Sequence, residues 1–216
     1  MLRDDDHREI PGCLATDGFQ ARYFEHVAGA PGITDMEPMV LPATLAPFLQ
    51  DPHMGGTLRI DRQGHYVRVS SGYGGAVTVR MLEGRYFAVM DLVPTEFGTS
   101  RYVDGAALRE AVEACAAAAD QAPFAVRMHA GAEELAFETL SEDATVRATV
   151  PADGWDGPDM ALAFNARNLA AGLQALLGKG GGTVCVELSG PKSLARITAG
   201  GRMDRQILLM PLDVAE

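Results

Sequence analysis

Three short stretches contain residue types that could bind a ligand or support catalysis. Residues 4–7 read Asp-Asp-Asp-His, which are metal-ligating types, but an acidic run of this kind is typical of a solvated tail. Residues 178–182, Gly-Lys-Gly-Gly-Gly, have the composition of a phosphate loop, but they follow a predicted helix and no Ser or Thr follows the Lys. Residues 70–74, Ser-Ser-Gly-Tyr-Gly, do not match the Gly-x-Ser-x-Gly nucleophile elbow. None of the three stretches predicts an active site.

Histidine and cysteine spacing does not support a metal site or a general base. The five histidines are scattered, and no two of them lie four residues apart, the spacing that puts two ligands on one helix face. Cys13, Cys115 and Cys185 share no close spacing and lie in apolar contexts, which favours reduced, buried thiols. The sequence therefore predicts a protein that is not an enzyme and uses no cofactor or metal. An enzyme on an unrelated α+β fold is the alternative.

Composition narrows the class of protein. The chain has 216 residues, enough for one or two domains, and 47% of them are hydrophobic, which is typical of a globular protein. The formal net charge of −11 argues against a general nucleic-acid binder, because affinity for phosphate comes from clustered Lys and Arg. No apolar run approaches the roughly 20 residues of a membrane span, and no signal-peptide pattern is present. We therefore expect a cytoplasmic protein.

Hydrophobic periodicity predicts one unit three times, a helix followed by three or more antiparallel strands. In residues 161–214, apolar positions recur at helical spacing and are followed by the alternating stretches TVCVEL, SLARIT and QILLMPL. Residues 103–151 and 40–94 repeat this order, the latter opening with Leu41, Leu45, Phe48 and Leu49 on a helix. A repeat of roughly 55 residues predicts an α+β fold in which each helix is buried on a sheet shared between units.

The motifs in these repeats resemble a known family. The stretch AFNARNLAAGLQAL followed by QILLMPL, with RYFAVMDLVP and ATDGFQA upstream, resembles the bacterial beta sliding clamp, the processivity subunit of the replicative DNA polymerase (DNA polymerase III subunit beta). The family's last half-domain opens with Phe-Asn and closes with Met-Pro. The positions that match these motifs and the loop ending the family's middle domain are Phe164, Asn165, Asn168, Leu169, Met210, Pro211, Gly84, Tyr86, Phe87 and Pro94.

The resemblance implies a DNA-clamp fold and a division of the chain. A clamp subunit of this family has three domains, each built of two half-domains. Residues 1–34 would hold a tail and a remnant of the middle domain, residues 35–98 its second half, and residues 99–216 the C-terminal domain. The first domain is not represented, so we expect a fragment or a naturally shortened clamp.

The resemblance also implies a cleft that binds short peptide motifs of polymerases and other clamp-binding proteins. The matching positions are Thr16, Gly18, Phe19, Pro94, Phe124, Asn165, Asn168, Leu209, Met210, Pro211 and Leu212. Apolar walls with a few amides suit a peptide that carries one Gln and two hydrophobic anchors. The alternative is that Phe124, Leu209 and Met210 are ordinary core residues. Gln20, Asn168 and Asp213 depart from the family's Arg, aromatic and basic residues, so the preferred peptide is expected to differ from the common bacterial one.

Contacts with double-stranded DNA would fall on helices that face the hole of a ring. The candidates on or beside predicted helices are Arg101, Arg109, Arg167 and Lys179, with solvated surface charge as the alternative for each. The contacts would be independent of DNA sequence. The implied function is a homo-oligomeric processivity factor that a clamp loader could place on DNA. The alternative function is a clamp-fold decoy or regulator that captures clamp-binding peptides without encircling DNA.

Overall fold

The chain is described by a computed structural model. It describes residues 2–3, 9–10, 12–16, 20–25, 39–83, 93–119, 124–139, 145–153, 157–178, 180–200 and 205–213, and up to residue 25 only the strand pairing is considered. The chain divides into a larger unit, Met1–Thr34 with Val89–Glu216, and a smaller unit, Asp35–Ala88. The predicted division into clamp domains stays a prediction.

Strands dominate the secondary structure of the described residues. The strands are β1 (Leu2–Arg3), β2 (Glu9–Ile10), β3 (Gly12–Thr16), β4 (Gln20–Glu25), β5 (Leu58–Gln63), β6 (Tyr66–Ser71), β7 (Ala76–Arg80), β8 (Thr99–Asp104), β9 (Ala125–Ala130), β10 (Glu134–Thr139), β11 (Arg147–Asp153), β12 (Met160–Asn165), β13 (Thr183–Leu188), β14 (Ala195–Ala199) and β15 (Arg205–Leu209). The α-helices are α1 (Ala46–Leu49), α2 (Gly105–Ala118) and α3 (Ala166–Leu177). Of the helices in the described ranges, none has the length and apolar character needed to cross a membrane.

One antiparallel sheet of ten strands runs through the larger unit in the order β12-β9-β10-β11-β8-β13-β14-β15-β4-β3. It contains two repeats, β8-α2-β9-β10-β11 and β12-α3-β13-β14-β15. Each repeat lends its opening strand to the other, since Val103 of β8 lies opposite Val184 of β13 and Phe164 of β12 lies opposite Val126 of β9. The predicted α+β class, with repeated helix-plus-antiparallel-sheet half-domains, is confirmed.

Helix α2 begins at a side-chain cap and buries one stripe. The carboxylate of Asp104 accepts a hydrogen bond from the Ala107 amide at 2.8 Å, which satisfies one of the free donors of the first turn. Leu108, Val112 and Cys115 follow at spacings of three and four residues and are buried. The stripe predicted from periodicity is therefore the stripe that packs.

Helix α3 repeats this arrangement. Asn165 caps its N-terminus by accepting from the Asn168 amide at 3.0 Å, and Leu169, Leu173 and Leu176 face the core. The helix ends at Gly178, whose φ of 60° is unfavourable for residues with a Cβ.

Both repeats contribute to a single core between the helices and the sheet. Alternate positions of each strand face it, such as Val184, Val186 and Leu188 of β13, together with Phe137 and Phe164. Cys115 and Cys185 are free and buried, as predicted, and burial raises the pKa of both thiols. The side chain of Cys13 lies outside the described residues.

The smaller unit contains the three-stranded sheet β5-β6-β7 and a core of Leu45, Met54, Val67 and Val69. The carbonyl of Val40 accepts a hydrogen bond from the Leu82 amide at 2.9 Å, which ties the extended segment before the helix to the residues that follow β7. This unit thus has a strand-like segment, a helix and three strands in the same order as a repeat of the larger unit.

The helix predicted around Leu45, Phe48 and Leu49 is much shorter than expected. A 3₁₀ turn at Ala43–Leu45 leads into the four-residue α1, and a second 3₁₀ turn follows at Pro52–Met54. Prolines account for this, because Pro52 disfavours the α conformation at the residue before it. Of the predicted stripe only Leu45 is buried, while Phe48 is 55% exposed and Leu49 is 40% exposed.

Gly105 allows the close approach of α2 to the turn before β13. Its amide donates to the Gly182 carbonyl at 2.7 Å, and a Cβ at Gly105 would lie 2.6 Å from that oxygen. Gly105→Ala is therefore expected to lower the free energy of unfolding by about 2 kcal/mol, because a backbone atom must shift. The change is measured by urea unfolding followed by circular dichroism. The control is Gly181→Ala, whose Cβ would make an ordinary 3.5 Å contact with Ala106. Equal unfolding midpoints for the two variants would contradict the close approach.

Candidate functional site

The β3–β4 hairpin lies directly beside the last strand of the larger unit. Gln20 of β4 is opposite Leu209 of β15, Ala21 is opposite Leu208, and Thr16 of β3 is opposite Ala21. Two predicted cleft positions, Thr16 and Leu209, are therefore brought into one sheet, on strands that β4 separates, although they lie 193 positions apart in sequence. Gly18 and Phe19, predicted for the same cleft, lie outside the described residues.

A small apolar cluster covers the face of β14 and β15 that points away from the helices. Leu194 and Leu208 are buried there, and Val93 and Phe97 pack against them. Ile207 and Leu209, on either side of Leu208, belong to the core under the helices, so β15 is apolar on both faces. Pro94, a predicted cleft residue, is half-buried in the segment between Val93 and Phe97.

A largely buried ion pair contacts Phe97 of this cluster. The Arg196 guanidinium donates to both carboxylate oxygens of Glu187, at 2.6 and 2.8 Å, and both side chains are largely buried. The same guanidinium lies 4.4 Å from the centroid of the Phe97 ring. A two-point contact of this kind fixes the plane of the arginine, and the cation stabilises the ring above it. Phe97 is therefore held over β14 by polar contacts as well as by Leu194 and Leu208.

The residues after β15 present an exposed apolar side chain next to this cluster. Met210 is 44% exposed, although it directly follows the buried Leu209. The Leu212 amide donates to the carbonyl of Ala163 in β12 at 2.7 Å, so the segment is anchored two residues before Asn165. Asp213 forms an exposed pair with Lys192 at 3.0 Å. We call the cluster of Val93, Phe97, Leu194 and Leu208, together with its chain neighbours Pro94 and Met210, the β15 surface.

Phe124, Asn165 and Asn168 meet at the beginning of α3. Asn165 is the helix cap, and the Phe124 carbonyl accepts from the Ala166 amide at 2.8 Å. Phe124 has a φ of 54°, which is uncommon for a bulky residue, and its ring stacks on the Arg167 guanidinium at 3.5 Å. These contacts give all three residues a structural role, and their participation in a peptide cleft stays a prediction.

Arg101 was predicted to face DNA, and the structure contradicts this. It lies in β8 rather than on a helix, has no exposed surface, and donates to the Ala132 carbonyl at 2.9 Å. Burial lowers the pKa of its guanidinium, and nearby Asp159 opposes that shift. The reason is the alternation of β8, which directs Thr99, Arg101 and Val103 to one face. Arg101 stabilises the loop before β10 and does not reach solvent.

The other predicted DNA contacts are partly engaged within the protein. Arg109 of α2 donates to the Gly178 carbonyl at the end of α3 at 3.0 Å and lies 4.0 Å from Glu113. Arg167 of α3 is exposed and stacks on Phe124. Lys179 lies outside the described residues. Arg109 and Arg167 remain candidates for phosphate contacts.

The residues that build the β15 surface and support it were not predicted from the sequence, namely Phe97, Glu187, Leu194, Arg196 and Leu208. Alternation in TVCVEL and SLARIT places Glu187 and Arg196 on the face opposite the core, which is a usable signal. Their pairing depends on the register of β13 with β14, where they are directly opposite. Sequence periodicity does not set that register.

A second concavity lies elsewhere on the same face of the sheet, over β9, β10 and β11. It is shallow, encloses about 370 Å³, and is lined by His129, Gly131, Glu134, Ala136, Glu138 and Arg147. Within the described ranges no group of three or more His, Cys, Asp or Glu side chains is placed to hold a metal ion. The charges around it are mixed and it is widely open, so the β15 surface, with its apolar floor, is the better candidate site.

Comparison of the sequence with known proteins identifies a relative over part of the chain. No family model matches the chain. A beta sliding clamp of Synechococcus elongatus is 37% identical over 103 residues, which cover 46% of this chain and 27% of that relative.

Solved structures match nearly the whole chain at lower identity. The DNA polymerase III subunit beta of Pseudomonas aeruginosa superposes with a TM-score of 0.78 at 20% identity, covering 92% of this chain and 54% of that one. The Caulobacter crescentus pol III beta gives 0.79 at 19% identity, covering 93% and 54%. This chain therefore spans about half the length of its solved relatives. Its resemblance to the bacterial beta sliding clamp is confirmed, and the described chain has the DNA-clamp fold.

Proposed function

We propose that this chain is a sliding-clamp-type processivity factor whose β15 surface binds short peptide motifs of DNA polymerase and other DNA enzymes. The observation that carries the proposal is an exposed Met210 two residues after Leu208, which is buried in a cluster with Leu194 and Phe97 on a strand that pairs with the β3–β4 hairpin. It is supported by the clamp fold and by the predicted cleft positions near β15. In this role the chain is an accessory subunit and not an enzyme.

The chemistry of the β15 surface fits a peptide with hydrophobic anchors. Leu208 and Leu194 provide an apolar floor, and Phe97 forms one side. Met210 is flexible and polarisable, so it adapts to different apolar partners, which suits a protein that serves several clients. Backbone and amide groups of the hairpin and of the segment after β15 would orient the peptide, as in other concave sites with few polar groups.

Tethering works through effective concentration. A polymerase bound to a clamp that stays on duplex DNA rebinds its template many times, even when each peptide contact is modest. Closure of a ring around DNA requires several copies of the chain or a partner chain. We propose a homo-oligomer with sequence-independent contacts to duplex DNA, placed there by a clamp loader.

Met210→Glu is expected to weaken binding of a fluorescein-labelled peptide that carries one Gln and two large apolar side chains. A carboxylate placed against an apolar anchor must be desolvated, so we expect at least a tenfold loss of affinity, roughly 1.4 kcal/mol. Fluorescence anisotropy measures the dissociation constant. Folding should be unaffected, because Met210 is 44% exposed.

The matched control for this measurement is Tyr102→Gln. Tyr102 is 46% exposed, and it lies in β8, two strands away from β14. The affinity of the Tyr102→Gln variant for the peptide should stay within about twofold of that of the unmodified chain. Equal losses in both variants, or no peptide binding by the unmodified chain, would refute the β15 surface as the peptide site.

Binding to DNA is expected to be weak and to depend little on salt. With Arg101 buried, Arg109, Arg167 and Lys179 are the candidate phosphate contacts left. Each contact contributes about −0.9 to the slope of log K against log salt concentration, so the slope per chain should be no steeper than about −3. Titration of a short linear duplex at several salt concentrations measures it. A slope near −6 would contradict this expectation, because it would require about seven phosphate contacts per chain.

A further inference from the structure

The ion pair of Arg196 and Glu187 is buried on a sheet face where alternation alone would predict solvated side chains. The two residues lie directly opposite each other on β14 and β13, on the face that points away from the helices. Their side chains are only 13% and 14% exposed, whereas those of the pair Lys192–Asp213 are 79% and 84% exposed. Burying two charges costs free energy, which only good geometry offsets. The Arg196–Glu187 pair therefore differs from an ordinary surface contact.

One row of side chains joins this ion pair to the apolar cluster. Leu208 of β15 lies directly opposite Arg196, which lies opposite Glu187, so the three residues stand in line across neighbouring strands. Phe97 contacts two members of this row. It packs against the cluster of Leu194 and Leu208, and its ring centroid lies 4.4 Å from the Arg196 guanidinium. The ring thus has an apolar contact with one strand and a cationic contact with the next.

Side-chain contacts determine the position of Phe97 more than backbone pairing does. Residues 93–98 form bends and belong to no helix or strand. Apolar contacts are not directional, so Leu194 and Leu208 alone would leave the orientation of the ring less defined. Arg196 bonds to Glu187 at two points, which fixes the plane of the guanidinium. A guanidinium of fixed plane gives the ring a flat surface to stack on.

We infer that Arg196 and Glu187 are positioning residues of the proposed peptide site, on which they act through Phe97 without touching the peptide. The inference rests on the proposed function. When a binding-competent arrangement is populated only part of the time, the apparent affinity falls by that fraction. The ion pair keeps the Phe97 ring in the arrangement that forms one side of the β15 surface, so no binding free energy is lost in ordering it. Peptide affinity therefore depends on two buried charges.

The double substitution Glu187→Leu with Arg196→Met tests this dependence. Replacing both members of a buried ion pair by apolar residues leaves no unpaired charge and is often neutral for stability. Urea unfolding should therefore give a midpoint close to that of the unmodified chain. Fluorescence anisotropy with the labelled peptide should still show about a fivefold higher dissociation constant, as expected if the ring is in place about one-fifth of the time. A pair with a purely stabilising role would leave the peptide affinity unchanged.

Arg196→Lys separates the charge from the planar group. Lysine keeps a positive charge beside Glu187, but it forms no two-point contact and offers the ring no flat surface, so the dissociation constant should rise here too. In a chain that carries Phe97→Leu, neither change should alter the affinity by more than about twofold, because the ring through which the pair acts is absent. Losses that add fully to that of Phe97→Leu would overturn the inference.

Fluorine NMR reports the position of the ring without any peptide. With 4-fluorophenylalanine introduced at position 97 alone, the otherwise unmodified chain should give one narrow signal. Glu187→Leu with Arg196→Met should shift and broaden that signal, because the ring would exchange between several arrangements. The control is Arg59→Gln, which removes an exposed ion pair with Asp61 in the smaller unit and should leave the signal unchanged.

The outcomes separate this inference from the proposed function. If the unmodified chain binds no peptide, the proposed function is refuted and the inference falls with it. If the unmodified chain binds the peptide and Glu187→Leu with Arg196→Met binds it equally well, the inference alone is refuted. The same holds if the fluorine signal at position 97 is not changed by that double substitution.

Discussion

The exchange of opening strands between the two repeats is the interaction on which the larger unit depends. One helix over three strands cannot exclude water from its core, because the edge of the first strand and one flank of the helix stay open. Placing β8 on β13 and β12 on β9 closes both gaps and joins the two helices over one core. Neither repeat is complete alone, so we expect the larger unit to unfold as a single cooperative body.

This arrangement also determines where a partner can bind. The helix-side face of the ten-stranded sheet is occupied by the core, so binding groups are displayed from the other face. At β15 that face has an apolar floor of Leu208 and Leu194, and the Arg196–Glu187 pair holds Phe97 above it. Because the pair is largely buried, it fixes a position that an isolated surface ion pair would not. The site is thus built on strands and on one buried polar contact rather than on loops alone.

Sequence patterns predicted the features that are local and failed where distant residues decide the outcome. The stripes of α2 and α3 and the alternation of β13 follow from spacing within a dozen residues, and they were predicted correctly. The α1 stripe was wrong because prolines interrupt a pattern that periodicity alone reads as continuous. Arg101, predicted on or beside a helix that faces DNA, lies instead in a strand in which Thr99, Arg101 and Val103 alternate with exposed residues. In the β15 surface, Val93 and Phe97, which precede β8, pack against Leu208 of β15, and periodicity in a single sequence does not specify such a long-range contact.

The contacts that the helix arginines make within the protein affect how such a chain could hold DNA. On the described helices, Arg109 donates to the carbonyl that ends α3, Arg167 stacks on Phe124, and Glu110 and Glu113 add opposing charge. The positive charge of these helices is therefore partly spent on stabilising the fold, in a chain whose net charge is −11. Affinity for phosphate rises with the number of counterions released, so this surface offers little of it. Retention on DNA would then have to come from enclosure, which makes oligomerisation a requirement of the proposed function.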